Sequence, residues 1–175
     1  MDFGQDHYAL FGLPRRFVVD TAELERLYRE VQARVHPDKF ADAGDADKRL
    51  AMQWSTHANE AYLTLKSPLK RAQYLLQLAG HDPQVEHNTA MPTDFLVEQM
   101  EWREAVIEAR DAADVAELDH LHHRMRKEIS TQYDALHQAL DERADYAAAA
   151  DLVRQLMFQE KLLHEIGDAL EAVDA

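Results

Sequence analysis

Apolar residues recur at three- and four-residue spacing along almost the whole chain, and no stretch keeps the two-residue rhythm of a strand. In residues 20–35, DTAELERLYREVQARV, the side chains Leu24, Leu27, Tyr28, Val31 and Val35 fall on one stripe. Arg26 and Arg29 fall on the opposite side. Asp20 stands where an N-cap belongs, and Glu23 three residues on completes the pattern of a capping box. A second segment, from about Ala46 to Leu65, places Leu50, Trp54, Ala61 and Leu65 on one face. Pro68 opens a shorter one, PLKRAQYLLQLAG, which Gly80 is suited to end. Three longer helices follow, near residues 93–111, 114–142 and 145–173. Their lengths and short connections predict an antiparallel three-helix bundle. The predicted fold class is all-α.

Proline and glycine divide this pattern in two. All five prolines lie at or before Pro92, and after Gly80 the one remaining glycine is Gly167. The polar run HDPQVEHNTAMP at 81–92 reads as a linker between a unit at 1–80 and a bundle at 93–175. Charge changes at the same place. The net charge is −14, yet residues 1–80 hold 11 basic and 11 acidic side chains, so the whole excess lies beyond them. An acidic second half argues against nucleic acid or an anionic membrane as its partner. With no cysteine in the chain, disulfides, thiolate metal sites and a cysteine nucleophile are excluded. No apolar run approaches the ~20 residues of a membrane helix. The opening MDFGQDHYALFG lacks the basic flank of a signal peptide. A soluble, cytoplasmic protein is expected.

Three features bear on chemistry. The first is His36-Pro37-Asp38, followed by Lys39 and Phe40, at the end of the first long helix. Proline disfavours helical geometry in the residue before it, so the helix should stop near Val35 and leave His36 and Asp38 on a stiff loop. The second lies on the helix near 93–111. At about 100° per residue, Phe95, Trp102, Val106 and Ala109 share one narrow sector. Leu96, Met100 and Ile107 make another about 120° away, with Val97 beyond it. This is either the wide apolar face of a helix with two neighbours or an exposed patch. On the last helix Leu152, Leu156, Leu163, Ile166 and Leu170 read as the core stripe, with Phe158 off that line, a candidate surface anchor. The third is Glu117-x-x-His120, which has the spacing of a di-iron ligand pair. No second such pair exists in the sequence, and both residues fall off the Leu118/Met125/Ile129/Leu136 stripe, so they read as surface residues. No cofactor and no metal ligand are assigned.

The helical unit around His36-Pro37-Asp38 resembles the J-domain, the module that docks on DnaK-family chaperones and stimulates their ATPase. The runs HYALFGLP, ARVHPDKF and ANEAYLTLKSPLKRAQYLLQLAG, with FLVEQMEWRE at the start of the acidic half, resemble the HscB-type co-chaperones of iron–sulfur cluster assembly. The likeness covers the whole chain. There is no cysteine-rich zinc extension before it, which points to a bacterial-type form, and Val97 and Trp102 replace commoner aliphatics. The resemblance implies an HscA- or DnaK-type chaperone as one partner, contacted by His36, Pro37, Asp38 and Lys39 with Arg26 and Arg29. It implies an IscU-type scaffold protein as the other, held by Leu96, Val97, Met100 and Phe158, with Glu101 and Glu104 as acidic neighbours. It implies a non-enzymatic role. The alternative from another class is a metal-dependent helical enzyme built on the acidic bundle, and metal content separates the two.

Overall fold

The computed structural model describes residues 2–81 and 91–174. Its helices are α1 (His7–Leu10), α2 (Thr21–Val35), α3 (Asp45–Lys66), α4 (Pro68–Leu78), α5 (Thr93–Asp111), α6 (Val115–His137) and α7 (Tyr146–Asp174). A 3-10 turn at Pro37–Phe40 and a π turn at Gln138–Glu142 complete the elements, and no strand occurs among the described residues. The fold is all-α. The chain divides into two compact units, 1–78 and 79–175. Of the linker expected at 81–92, residues 82–90 lie outside the described residues.

In the first unit α2 and α3 pack as a hairpin, with α1 against α3. Leu24 and Val31 from α2 meet Ala58, Ala61 and Leu65 from α3, and Tyr8 and Phe11 close the same cluster. The four residues of α1 are shorter than the window in which helical periodicity is visible, so sequence pattern did not reveal it. Asp6 caps it by accepting from the Ala9 N–H at 2.9 Å. Gly12 stops it at φ +66°, a conformation glycine adopts without strain. The fully buried Tyr8 pins it, its hydroxyl donating to the Arg16 carbonyl at 2.8 Å.

Asp20 caps α2 as anticipated, accepting from the N–H groups of Ala22 and Glu23 at 3.0 and 3.3 Å. The reciprocal half of the box does not form, because Glu23 turns its carboxylate to Arg26. On α3 Trp54, Ala61 and Leu65 are buried as expected, and Ala51 takes the place of Leu50. Ala51, Trp54, Ala58, Ala61 and Leu65 are buried at unbroken 3-4-3-4 spacing, whereas Leu50 is 45% exposed, about 100° behind Ala51 on the helix. Arg71 on α4 is the polar centre of this unit. Only 6% exposed, it donates from Nε to the Phe17 carbonyl and from Nη1 to the Leu65 carbonyl, both at 2.6 Å. The second bond satisfies a carbonyl in the last turn of α3, which has no partner within that helix.

The second unit is the three-helix bundle, α5, α6 and α7, with connections of a few residues. The α5–α6 turn is a Schellman motif. Asp114 N–H donates to Ala109 O at 2.8 Å and Ala113 N–H to Arg110 O at 3.0 Å, with Ala113 left-handed at φ 52°. Asp114 then caps α6 through the Glu117 N–H at 3.0 Å. The long helix expected over 114–142 is α-helical only to His137 and widens into the π turn. The stripe expected on α7 holds in part. Val153, Leu156, Leu162, Ile166 and Ala169 are buried, while Leu152, Leu163 and Leu170 are half-buried. The buried face is centred on Val153, Leu156, Leu162 and Ile166, each 0% exposed, with Gln159 at 5% among them.

Candidate interaction sites on the two units

The first site follows from how α2 ends. His36 has φ −60° and ψ 134°, the extended geometry that Pro37 demands of the residue before it. The chain then tightens into the 3-10 turn, not an irregular loop. His36 caps this turn, with Nδ1 accepting the Asp38 N–H at 3.2 Å. That bond assigns the ring proton to Nε2, which is left to donate outward. The Asp38 carboxylate lies 3.5 Å from the same Nδ1 and its side chain is 93% exposed. Pro37 and Lys39 are exposed as well. A donor and an acceptor are thus held on a stiff turn, and neither contributes to the core.

Arg26 and Arg29 lie on the exposed face of α2, about 15 and 10 Å of helix before His36. They are not free cations. Arg26 donates from Nε and Nη2 to Glu23 at 2.9 and 2.6 Å and from Nη1 to Glu30 at 2.5 Å. Arg29 bonds Glu25 at 2.6 Å. The hydrogen bonds it donates to Glu23, the Coulombic pull of that carboxylate and then Glu30 hold the Arg26 guanidinium above its ordinary value, and the same bonds hold Glu23 below its own. The side of α2 that carries Arg26 and Arg29 is therefore charge-balanced. The spacing Glu25 to Arg29 and Arg26 to Glu30 was the available signal, since residues four apart are neighbours on a helix.

On α5 the two apolar sectors have different surroundings. Phe95, Trp102, Val106 and Ala109 are buried, while Leu96, Val97, Met100 and Ile107 are 43, 48, 64 and 48% exposed. Trp102 belongs to the core, with the Arg124 guanidinium 4.7 Å from its ring centroid. Glu101 and Glu104 are exposed on the outer half of the same helix. From α7, Phe158 is 43% exposed and meets the buried Phe95 edge-on at 6.4 Å, which places it beside the first turn of α5. Glu117 and His120 are exposed, and among the described residues no three His, Asp or Glu side chains come together as metal ligands would.

The family described as the HSCB C-terminal oligomerisation domain matches residues 91–167. The co-chaperone protein HscB homolog of Aromatoleum aromaticum is 57% identical over 99% of this chain and 98% of its own. The chain belongs to the HscB family of co-chaperones. The solved structure of HscB from Vibrio cholerae superposes with a TM-score of 0.86 at 36% identity, covering 97% of this chain and 99% of that one. Human HscB gives 0.87 at 30% identity, over 95% and 83% of the two chains. The first unit, with the His36-Pro37-Asp38 turn, is the J-domain of this HscB-type chain. Among the described residues no helix is long and apolar enough to cross a membrane.

Proposed function

We propose that this chain is a cytoplasmic co-chaperone of iron–sulfur cluster assembly that brings an IscU-type scaffold protein to an HscA- or DnaK-type chaperone and stimulates that chaperone's ATPase. The observation that carries this reading is the exposed His36-Pro37-Asp38 turn. It presents an Nε2–H donor and a carboxylate on a rigid frame, a geometry suited to docking, with no bond-making role assigned to it. Lys39 extends the contact, and Arg26 and Arg29 join it by exchanging their glutamate partners for the chaperone's carboxylates. Because those pairs are exposed, the exchange costs little. The scaffold docks on Leu96, Val97, Met100 and Phe158. Glu101 and Glu104 beside them set register and association rate. The description of the matched family also makes self-association of the second unit part of this reading.

The test is ATP turnover by purified HscA- and DnaK-type chaperones, with and without this chain and the scaffold. Stimulation is expected with the parent chain and is lost with His36→Gln or Asp38→Asn, both of which fold because neither side chain is buried. Equal stimulation by either variant overturns the docking assignment.

A further inference from the structure

Between α5 and α7 runs a groove of about 470 Å³ lined by Arg103, Val106, Ile107 and Arg110 from one helix and Leu162, Glu165, Asp168, Ala169 and Ala172 from the other. Its two walls differ in charge and in shape. The α5 wall is basic and carries the protruding, half-exposed Ile107, whereas the α7 wall is acidic and is hollowed by Ala169 and Ala172. We infer that this face pairs with the same face of a second copy of the chain, Ile107 of each copy entering the alanine hollow of the other.

The symmetry follows from the charges. Two copies meeting face to face share a two-fold axis that lies in the plane of contact. An axis across the groove sets α5 on α5, bringing arginines against arginines. An axis along the groove sets α5 of each copy on α7 of the other, bringing arginines against carboxylates. Only the second arrangement is attractive. It also keeps the levels in register, because α5 and α7 run parallel as first and third helices of an up-down-up bundle. Arg103 stands level with Glu165, which it reaches at 3.8 Å. Ile107 and Arg110 come one and two turns further, beside Ala169 and Ala172. A rotation about the groove axis therefore places Ile107 over the partner copy's alanines and Arg103 over its Glu165. The contacts these charges already make, Arg103 to Glu165, Arg110 to Asp111 at 3.5 Å and His164 to Asp168 at 3.6 Å, are long and exposed. A guanidinium with five N–H donors has capacity to spare.

Size sets the strength. From Met100 to Arg110 and Phe158 to Ala172 the face is about 21 Å long and about 20 Å wide, or ~400 Å² per copy. A stable dimer buries about 800 Å² per partner, so the pairing is weak and transient. This inference deepens the self-association in the reading above and is independent of chaperone docking; Met100 and Phe158, at one end of the face, belong also to the proposed scaffold patch.

The test is sedimentation of the full chain from about 5 to 500 µM, a range that reaches weak association. The parent associates at the upper end. Ile107→Asp remains monomeric, Arg103→Glu and Glu165→Arg each weaken association, and the two reversals in one chain restore it. Because the chain has no cysteine, single thiols report the symmetry: Ile107→Cys forms a disulfide with an added Ala169→Cys chain and not with itself. A parent that is monomeric throughout overturns both self-association and this face. Association that ignores the reversals, or Ile107→Cys chains that link to each other, overturns the face alone and leaves self-association standing.

Discussion

Truncating Leu96, Val97, Met100 and Phe158 together to alanine separates the role of this patch from its structural share. Each side chain is roughly half exposed, at 43–64%. Burying a whole side chain of this kind stabilises by about 1.5–3 kcal/mol, so covering the exposed half contributes about 1 kcal/mol. Four such residues supply about 4 kcal/mol to scaffold docking, and removing them weakens binding by about 10³-fold. The structural loss is smaller. The buried halves of Leu96, Val97 and Met100 are partly offset by alanine's helix propensity. Phe158 loses its edge contact with Phe95, an interaction of about 0.5–1.5 kcal/mol. The quadruple variant therefore stays folded with a lowered melting temperature, and its J-domain stimulates the chaperone as before. Calorimetry with the purified scaffold, circular dichroism at the same temperature and ATP turnover read the three consequences separately. A variant that binds within tenfold of the parent refutes the patch. One that has lost its helicity shows these residues to be core.

Three further perturbations follow from the fold. Arg71→Ala removes at least two charge-assisted bonds and strands the carbonyls of Phe17 and Leu65, a loss of about 3 kcal/mol. Urea unfolding checks it, and a change under about 0.5 kcal/mol, the scatter of ordinary surface substitutions, contradicts it. Ala113→Gly relieves a left-handed alanine at φ 52° at the cost of a more flexible unfolded chain, for a net gain of up to about 1 kcal/mol; thermal unfolding is expected to move upward. His7 stacks on Tyr74 at 4.4 Å and lies 5.7 Å from the His57 ring. Burial first and the His57 charge second hold its imidazole below the ordinary value, against the opposing pull of Glu60 and Asp6. The folded state therefore favours the neutral ring. Its contribution is complete above the unfolded value of about 6.5 and is lost as pH falls through the lower folded value. His7→Gln should flatten the decline in melting temperature from pH 7 to 5, and an unchanged slope refutes the assignment.

How far residue order alone revealed this molecule depended on what set each feature. The long helices were legible because burying a stripe demands a period, and the angle between Phe95 and Leu96 separated two sectors on α5, while which of them was exposed followed only from the packing. The stripe on α7 was only partly placed, with Leu156 and Ile166 buried as expected, because a helix with two neighbours buries an arc that also takes in Val153, Gln159 and Leu162. The balanced charge of α2 is legible once the glutamates four residues from each arginine are counted with them. The groove could not be read at all, because it exists only once Arg103 meets Glu165 across two helices. The turn at His36-Pro37-Asp38 was the reverse case. Its geometry comes from the restriction proline places on its neighbour, a local effect that needs no tertiary context, and its side chains carry no packing. In this chain the residues that build the fold and those proposed for partner docking are almost disjoint sets. Substitutions at His36, Asp38 or Met100 should therefore alter association while leaving the unfolding free energy nearly constant, and a strong correlation between the two across such variants would show that the separation fails.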